Sequence, residues 1–181
     1  MKIPKPFCTN KNNIKAFVLG CDPTAIDKND NKLEFEYVFD LGNDERYFSG
    51  VVENLKQVGL SIGEIYVQNL VTDYQDDETS KNHHWMQIAN EYIADRKQEF
   101  DKLDPEGISP VFITSEVLYK LLLNPDEECF KASQLYNYPD LLPISAKSNS
   151  LGRPLIPLYR HWNYNLKKWP QYSKIIQSIL S

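Results

Sequence analysis

The chain has 181 residues, 41% of them apolar and 25% charged, with a formal net charge of −5. This is the ordinary make-up of a globular protein large enough for one substantial core, and it argues against a generic nucleic-acid-binding protein. No apolar stretch reaches the roughly 18–20 residues of a membrane span, the N-terminus lacks the apolar core of a secretion signal, and Cys8, Cys21 and Cys129 are too few and too scattered for a disulfide framework or a paired metal site. The expectation is a cytoplasmic monomer, one domain over residues 1–181, with no membrane contact, cofactor or metal.

In chain order, the first element is the apolar run Ala16–Leu19, which breaks at Gly20 into a turn carrying Asp22 and stiffened by Pro23. A short buried run that stops at Gly and presents a carboxylate is how an α/β sheet places chemistry at the carboxyl end of a strand. Asp27-Lys28-Asn29-Asp30-Asn31 matches the first, third and fifth positions of a calcium loop. Lys32 and Val38 stand where that loop needs Gly and Glu, so it reads as a polar loop. Phe48, Val51, Val52, Leu55 and Val58 follow a helical period that Gly59 ends. Residues 64–71 predict a second strand with Asn69 inside it.

Trp85, Ile88, Ala89, Tyr92, Ile93 and Phe100 form a second helical stripe, with Ser80 or Asn82 available as N-cap. His83 and His84 sit at its start, about 100° apart on a helix, and read as surface or capping residues. Residues 111–114 predict a third strand. Ser115 caps a short helix through Leu123, residues 141–145 predict a fourth strand, and Pro170–Leu180 reads as a terminal helix. Strands alternating with helices imply right-handed crossovers and an α/β three-layer sandwich: a four-stranded, mainly parallel central sheet flanked by helices. Asp22, Asn69 and Ser145 to Asn149 are then the polar groups at strand ends, expected to converge on one crevice.

Charge is unevenly spread. After Asp140 there is no Asp or Glu, while Lys147, Arg153, Arg160, Lys167, Lys168 and Lys174 make this tail +6 and leave −11 for residues 1–140. Tyr159, Trp162, Tyr164, Trp169 and Tyr172 are interleaved with these cations. That mixture fits phosphate neutralisation with base stacking; the plainer reading is a packed terminal helix with snorkelling lysines.

Together these segments resemble the uracil-DNA glycosylase superfamily from about Phe17 to about Lys168. Gly20-Cys21-Asp22-Pro23 is similar to the family's G-Q-D-P-Y-H water-activating loop. Phe39 falls where the family stacks an aromatic on uracil, and Tyr66-Val67-Gln68-Asn69-Leu70-Val71 resembles the L-L-L-N-A-V strand whose Asn reads the base edge. Glu78-Thr79-Ser80 to Trp85 resembles N-S-H-K-x-x-x-W. Leu142-Pro143-Ile144-Ser145-Ala146 lies where the family has H-P-S-P-L-S, and Arg160-His161-Trp162 echoes an R-H-F downstream.

The resemblance implies removal of uracil or a related deaminated or damaged base flipped out of DNA. Asp22 would orient a water and stabilise the cationic sugar, and Cys21, Pro23, Phe39 and Asn69 would bind the base. Ser148, Asn149, Arg153, Arg160, His161 and Lys167 would contact DNA. Leu142 replaces the family's leaving-group His, so the donor is sought among Ser145, Lys147, Asn149 and His161, with Ser145 and Lys147 ranked first as catalytic. Thr24-Ala25 replaces Tyr-His after Pro23, and the four-cysteine cluster of some branches has no counterpart.

Each residue has a plainer reading beside this one. Asp22 before Pro23 is also a turn former, Asn69 a loop brace, Phe39 a core residue and His161 a packing or phosphate contact. Two alternatives stay open: a catalytically degenerate module of the same fold that binds a nucleobase or nucleic acid, and action on a free nucleoside or nucleotide.

Overall fold

The computed structural model of the chain describes residues 1–44 and 48–181. Four strands, β1 (Ala16–Gly20), β2 (Ile65–Asn69), β3 (Val111–Ile113) and β4 (Leu155–Pro157), form one sheet in the order β2-β1-β3-β4, with every pair parallel. All residues of all four strands are buried. This is why they read as continuous apolar runs rather than alternating ones: helices cover both faces of a parallel sheet. The architecture is α/β, with the central sheet flanked by helices in a three-layer arrangement.

The helices are α1 (Ser49–Gln57), α2 (Trp85–Asn90), α3 (Ile93–Leu103), α4 (Glu116–Leu122), α5 (Ala132–Asn137) and α6 (Pro170–Leu180). After α1, Gly59 takes φ +84°, a left-handed conformation that costs glycine little. The second apolar stripe is two helices rather than one, because the amides of Glu91 and Tyr92 bond to carbonyls only three residues back and tighten the chain there. Neither expected residue caps α2 directly. Asn82 Oδ1 instead accepts from the His84 amide at 3.0 Å and shapes the turn before it. Ser115 caps α4 as expected, its side chain accepting from the Leu118 amide, and α6 begins at Pro170, where a proline costs no hydrogen bond. Helix α5 had no expectation in the sequence. Helices α1 and α6 are tied through the Gln57 carbonyl, which accepts from Ser173 and Gln177.

The fourth strand is not where the apolar run at 141–145 suggests. Pro143 interrupts that run, residues 139–141 form a 3-10 turn, and only Ile144 pairs, antiparallel, with Leu155. The true fourth strand is Leu155-Ile156-Pro157, three residues that start after Pro154 and end in a proline. An edge position tolerates the missing amide.

The correction moves a whole loop. Since Ile144 runs antiparallel to β4 and faces its first residue, Ser145–Asn149 leaves toward the amino end of the sheet. The same loop is tied to the far end of α4, where Leu123 bridges Asn149 and the Ser150 amide bonds Leu122 O at 2.8 Å. The segment that emerges from the carboxyl end of β4 is Leu158-Tyr159-Arg160-His161.

A candidate nucleobase site at the carboxyl edge of the sheet

Register places Gly20 beside Asn69, Leu19 beside Ile113 and Ile113 beside Pro157, so the four strands end at one edge. The turns leaving it enclose a chamber of roughly 590 Å³ lined by Cys21, Asp22, Pro23, Phe39, Asn69 and Arg160, with Thr79 and Ser115 among its other walls. That volume falls in the range of about 300–1,000 Å³ that holds a small ligand. Asp22 and Asn69 therefore do converge. Ser145, Lys147, Ser148 and Asn149 do not, because their loop lies at the opposite edge.

Asp22 is held by three donors. The Thr24 amide bonds Oδ1 at 2.8 Å, as in an Asx turn, while Thr79 Oγ1 at 2.5 Å and Trp85 Nε1 at 2.8 Å bond Oδ2. Trp85 is 1% exposed, and its single polar atom is spent on this carboxylate, as a buried indole requires. A carboxylate offers about four lone-pair positions. With three engaged, one on Oδ1 faces further hydrogen bonding, enough to orient a single water. Burial pushes the thiol of Cys21, the preceding residue, up to about 11, against a hydrogen bond with Ser115 and with the Asp22 carboxylate adding to the rise, so it rests as the neutral thiol.

Asn69 is the anomaly of the site. It is 3% exposed, yet its Oδ1 has no hydrogen-bond partner among the described residues. Leaving a buried acceptor unmet costs about 1–3 kcal/mol, and such a group calls for an explanation in its surroundings. Its backbone is fixed from behind. Gln68 Oε1 accepts from the Asn69 amide at 2.9 Å, and Gln68 Nε2 donates to Glu99, which also receives Tyr66 OH and pairs with Arg96.

Gly20 is required by this geometry. A Cβ there would collide with Asn69 Oδ1 and stand 2.7 Å from the Phe39 ring. Phe39 has φ +61° and Asp40 φ +50°, a left-handed pair that costs non-glycine residues of order 1–3 kcal/mol each. The Phe39 ring is 5% exposed and stacked on Phe48 with centroids 4.2 Å apart. It lines the chamber but presents little open face, so the broad platform expected of it is not on display.

Of the expected DNA contacts, Arg153 is placed otherwise. It is 0% exposed, bonding Asp104 at 2.7 Å and Asp101 at 3.0 Å, with its guanidinium 5.1 Å from the Phe17 ring. Counted in the sequence as a surface cation, it is a buried clamp between α3 and the loop before β4. Asn149 braces the same loop, donating to Ser145 O and Arg153 O and accepting from the amides of Leu151 and Gly152. Lys167 stands 3.8 Å from Glu53. Arg160 remains at the crevice, with its guanidinium 4.5 Å from the Phe48 ring and 5.8 Å from that of Phe39. His161 follows it, with Nδ1 accepting from the Asn163 amide. The basic tail is thus not one patch.

Sequence reasoning did not foresee that Thr79 and Trp85 would bond Asp22 or that Gly20 would make room for the Asn69 side chain. The indole had a signal, since a tryptophan on the apolar face of a helix still needs an acceptor for its N–H. In the calcium-like segment Asp27 is satisfied internally, accepting from the amides of Asn29 and Asn31. Among the described residues no group of three or more His, Cys, Asp and Glu could hold a metal ion, and no helix is long and apolar enough to cross a membrane.

The fold and site define an open parallel α/β protein with a small-ligand chamber at its strand ends. No family model matches the chain, and no curated protein matches it significantly.

Proposed function

We propose that this protein is an N-glycosidic hydrolase of the uracil-DNA glycosylase kind, acting on uracil or a related deaminated or damaged base flipped from DNA. The observation that carries this reading is that Asn69, whose buried Oδ1 has no partner among the described residues, lines the same chamber as Asp22. An amide pairs with the edge of uracil in two places: its oxygen accepts from N3–H and its nitrogen donates to O4. A buried amide kept unpaired discriminates strongly for a ligand that completes it.

In the reaction a water held by Asp22 attacks the sugar carbon C1′ and gives a proton to the Asp22 carboxylate, the C1′–N bond breaks, and the base leaves with the bonding pair and takes up a proton from solvent. The Asp22 charge stabilises the cationic sugar, and Thr24, Thr79 and Trp85 keep the carboxylate aimed. Arg160 borders the chamber and opposes the charge of the departing base, while Asn69 holds its edge. Contacts to the DNA strand fall to Arg160, His161 and Lys168, whose Nζ lies 4.3 Å from the exposed Trp162 ring.

One observation favours the alternative, a module that binds a base without turnover. Ser145 and Lys147, ranked first to serve the leaving group, are at the other edge of the sheet. Incubation with uracil-containing single- and double-stranded oligonucleotides, followed by alkaline cleavage at abasic sites, decides between them. Cleavage lost in Asp22→Asn supports the hydrolase; base binding that survives Asp22→Asn, with no cleavage by the wild type, supports the module.

A further inference from the structure

Strand β2 lies at one edge of the sheet, and its outer side is closed by two different means. Val67 exchanges both backbone bonds with Phe7, at 2.9 and 3.0 Å. Two residues on, the Asn69 amide points to the same side, and continuing that antiparallel bridge would set Lys5 opposite it. Lys5 is spent elsewhere: its N–H donates to Glu36 O and its carbonyl accepts from the Val38 amide, both at 2.9 Å. The side chain of Gln68 takes the vacant place, its Oε1 accepting from the Asn69 amide at 2.9 Å. On the other side of Asn69, the Leu70 amide bonds Gly20 O at 2.8 Å and the Leu70 carbonyl accepts from Arg96 at 3.4 Å.

Helix α3 decides which end of the Gln68 amide faces Asn69. Glu99 Oε1 lies 3.5 Å from Gln68 Nε2 and also accepts from Tyr66 OH, while Glu99 Oε2 pairs with Arg96. An ionised carboxylate only accepts, so it draws the NH2 of Gln68 to itself and leaves the oxygen for Asn69. Arg96 is buried, and an ion pair taken out of water in this way adds little net stability, so stability alone does not account for it. Asn69 Oδ1, by contrast, makes no hydrogen bond among the described residues. Its position follows from its backbone and from packing beside Gly20.

We propose that Gln68 is a positioning residue for base binding, oriented by Glu99 and Arg96: together they hold the Asn69 peptide in place before the base arrives, so that binding does not have to order it. The inference rests on the nucleobase reading of the chamber and adds a control on affinity from residues outside its walls.

Uracil and deoxyuridine monophosphate are titrated by calorimetry into full-length wild type and variants, each with its folded fraction measured first. Gln68→Met keeps length and burial but offers Asn69 no acceptor, and is expected to weaken affinity per folded molecule by about tenfold. Glu99→Gln lets the Gln68 amide turn either way and is expected to cost about threefold; it serves as the second variant should Gln68→Met not fold. Adding Gln68→Glu to Glu99→Gln restores a fixed acceptor for Asn69 and one negative charge beside Arg96, and is expected to return affinity to within about twofold of wild type. Arg153→Met, which breaks a buried clamp at the opposite edge of the sheet, controls for lost stability and is expected to bind as wild type does.

Wild-type affinity in Gln68→Met or Glu99→Gln, an equal loss in Arg153→Met, or a loss that the double exchange does not recover overturns the positioning role and leaves the nucleobase reading standing. If the wild type binds neither ligand, the nucleobase reading itself falls.

Discussion

Two buried asparagines stand at opposite edges of the same sheet, Asn69 at the end of β2 and Asn149 in the serine-flanked loop before β4, each 5% exposed or less. Asn149, at the amino edge, spends its whole amide inside the protein: two donations to carbonyls and two acceptances from amides. Asn69, at the carboxyl edge, leaves its oxygen unmet, is packed against a glycine whose added Cβ would displace it, and lines a chamber. The chemistry of the side chain is identical. What separates these two asparagines is that the protein satisfies the whole amide of Asn149, whereas Asn69, with its oxygen unmet, lines a chamber.

The largest effect that sharpens this contrast is at Asp22. Asp22→Asn keeps the shape of the side chain but removes its charge, and turnover of a uracil-containing strand per folded molecule is expected to fall by about 10²–10⁴-fold, with a lowered melting temperature because the new amide NH2 faces donors that the carboxylate accepted from. Next is the clamp of the amino edge. Arg153→Met leaves Asp104 without its cation and Asp101 with Lys97 alone, and is expected to cost on the order of 3 kcal/mol in denaturant unfolding, with activity per folded molecule unchanged.

That clamp also sets an acid dependence. Lys97 and Arg153 hold the Asp101 carboxyl below its usual range; Asp104 is lowered as well, although burial opposes it, because the Ser109 amide and Arg153 prevail. Carboxyls depressed by folding contribute stability that is complete above about pH 4 and lost as pH falls through their folded values. Unfolding titrations from pH 7 downward should show this loss, reduced in Arg153→Met.

The asparagines themselves cross over. Asn149→Ala is expected to cost about 1–3 kcal/mol by leaving buried backbone groups unpaired while base affinity stays intact. Asn69→Ala is expected to cost nothing in stability, since an unmet acceptor is removed, and to lose base affinity by about tenfold or more. The smallest effects are at Ser145 and Lys147, where alanine should leave turnover within about twofold; a large loss there would return the amino-edge loop to the site.

How far the sequence carried depended on whether a signal was local. Ala16–Leu19, the Phe48–Val58 stripe and Pro170–Leu180 were legible because burial period and stop residues sit within or beside each segment. The fourth strand was not, since Leu155-Ile156-Pro157 is short and bracketed by prolines while residues 141–145 are the more apolar run. Asp22 and Asn69 were legible as polar residues at strand ends. Their partners were not, because Thr79 and Trp85 reach Asp22 across 57 and 63 residues of chain. Arg153 misled for the opposite reason: charge in a sequence says nothing of burial, and its two aspartates lie about fifty residues upstream.

The most direct test of the central claim is calorimetric titration of free uracil and deoxyuridine monophosphate into the wild type, Asn69→Ala and Asn149→Ala chains, all verified as folded. Binding to the wild type and to Asn149→Ala, lost in Asn69→Ala, is the result required of a chamber built around one unmet amide. Equal binding to all three, or none to any, would contradict it.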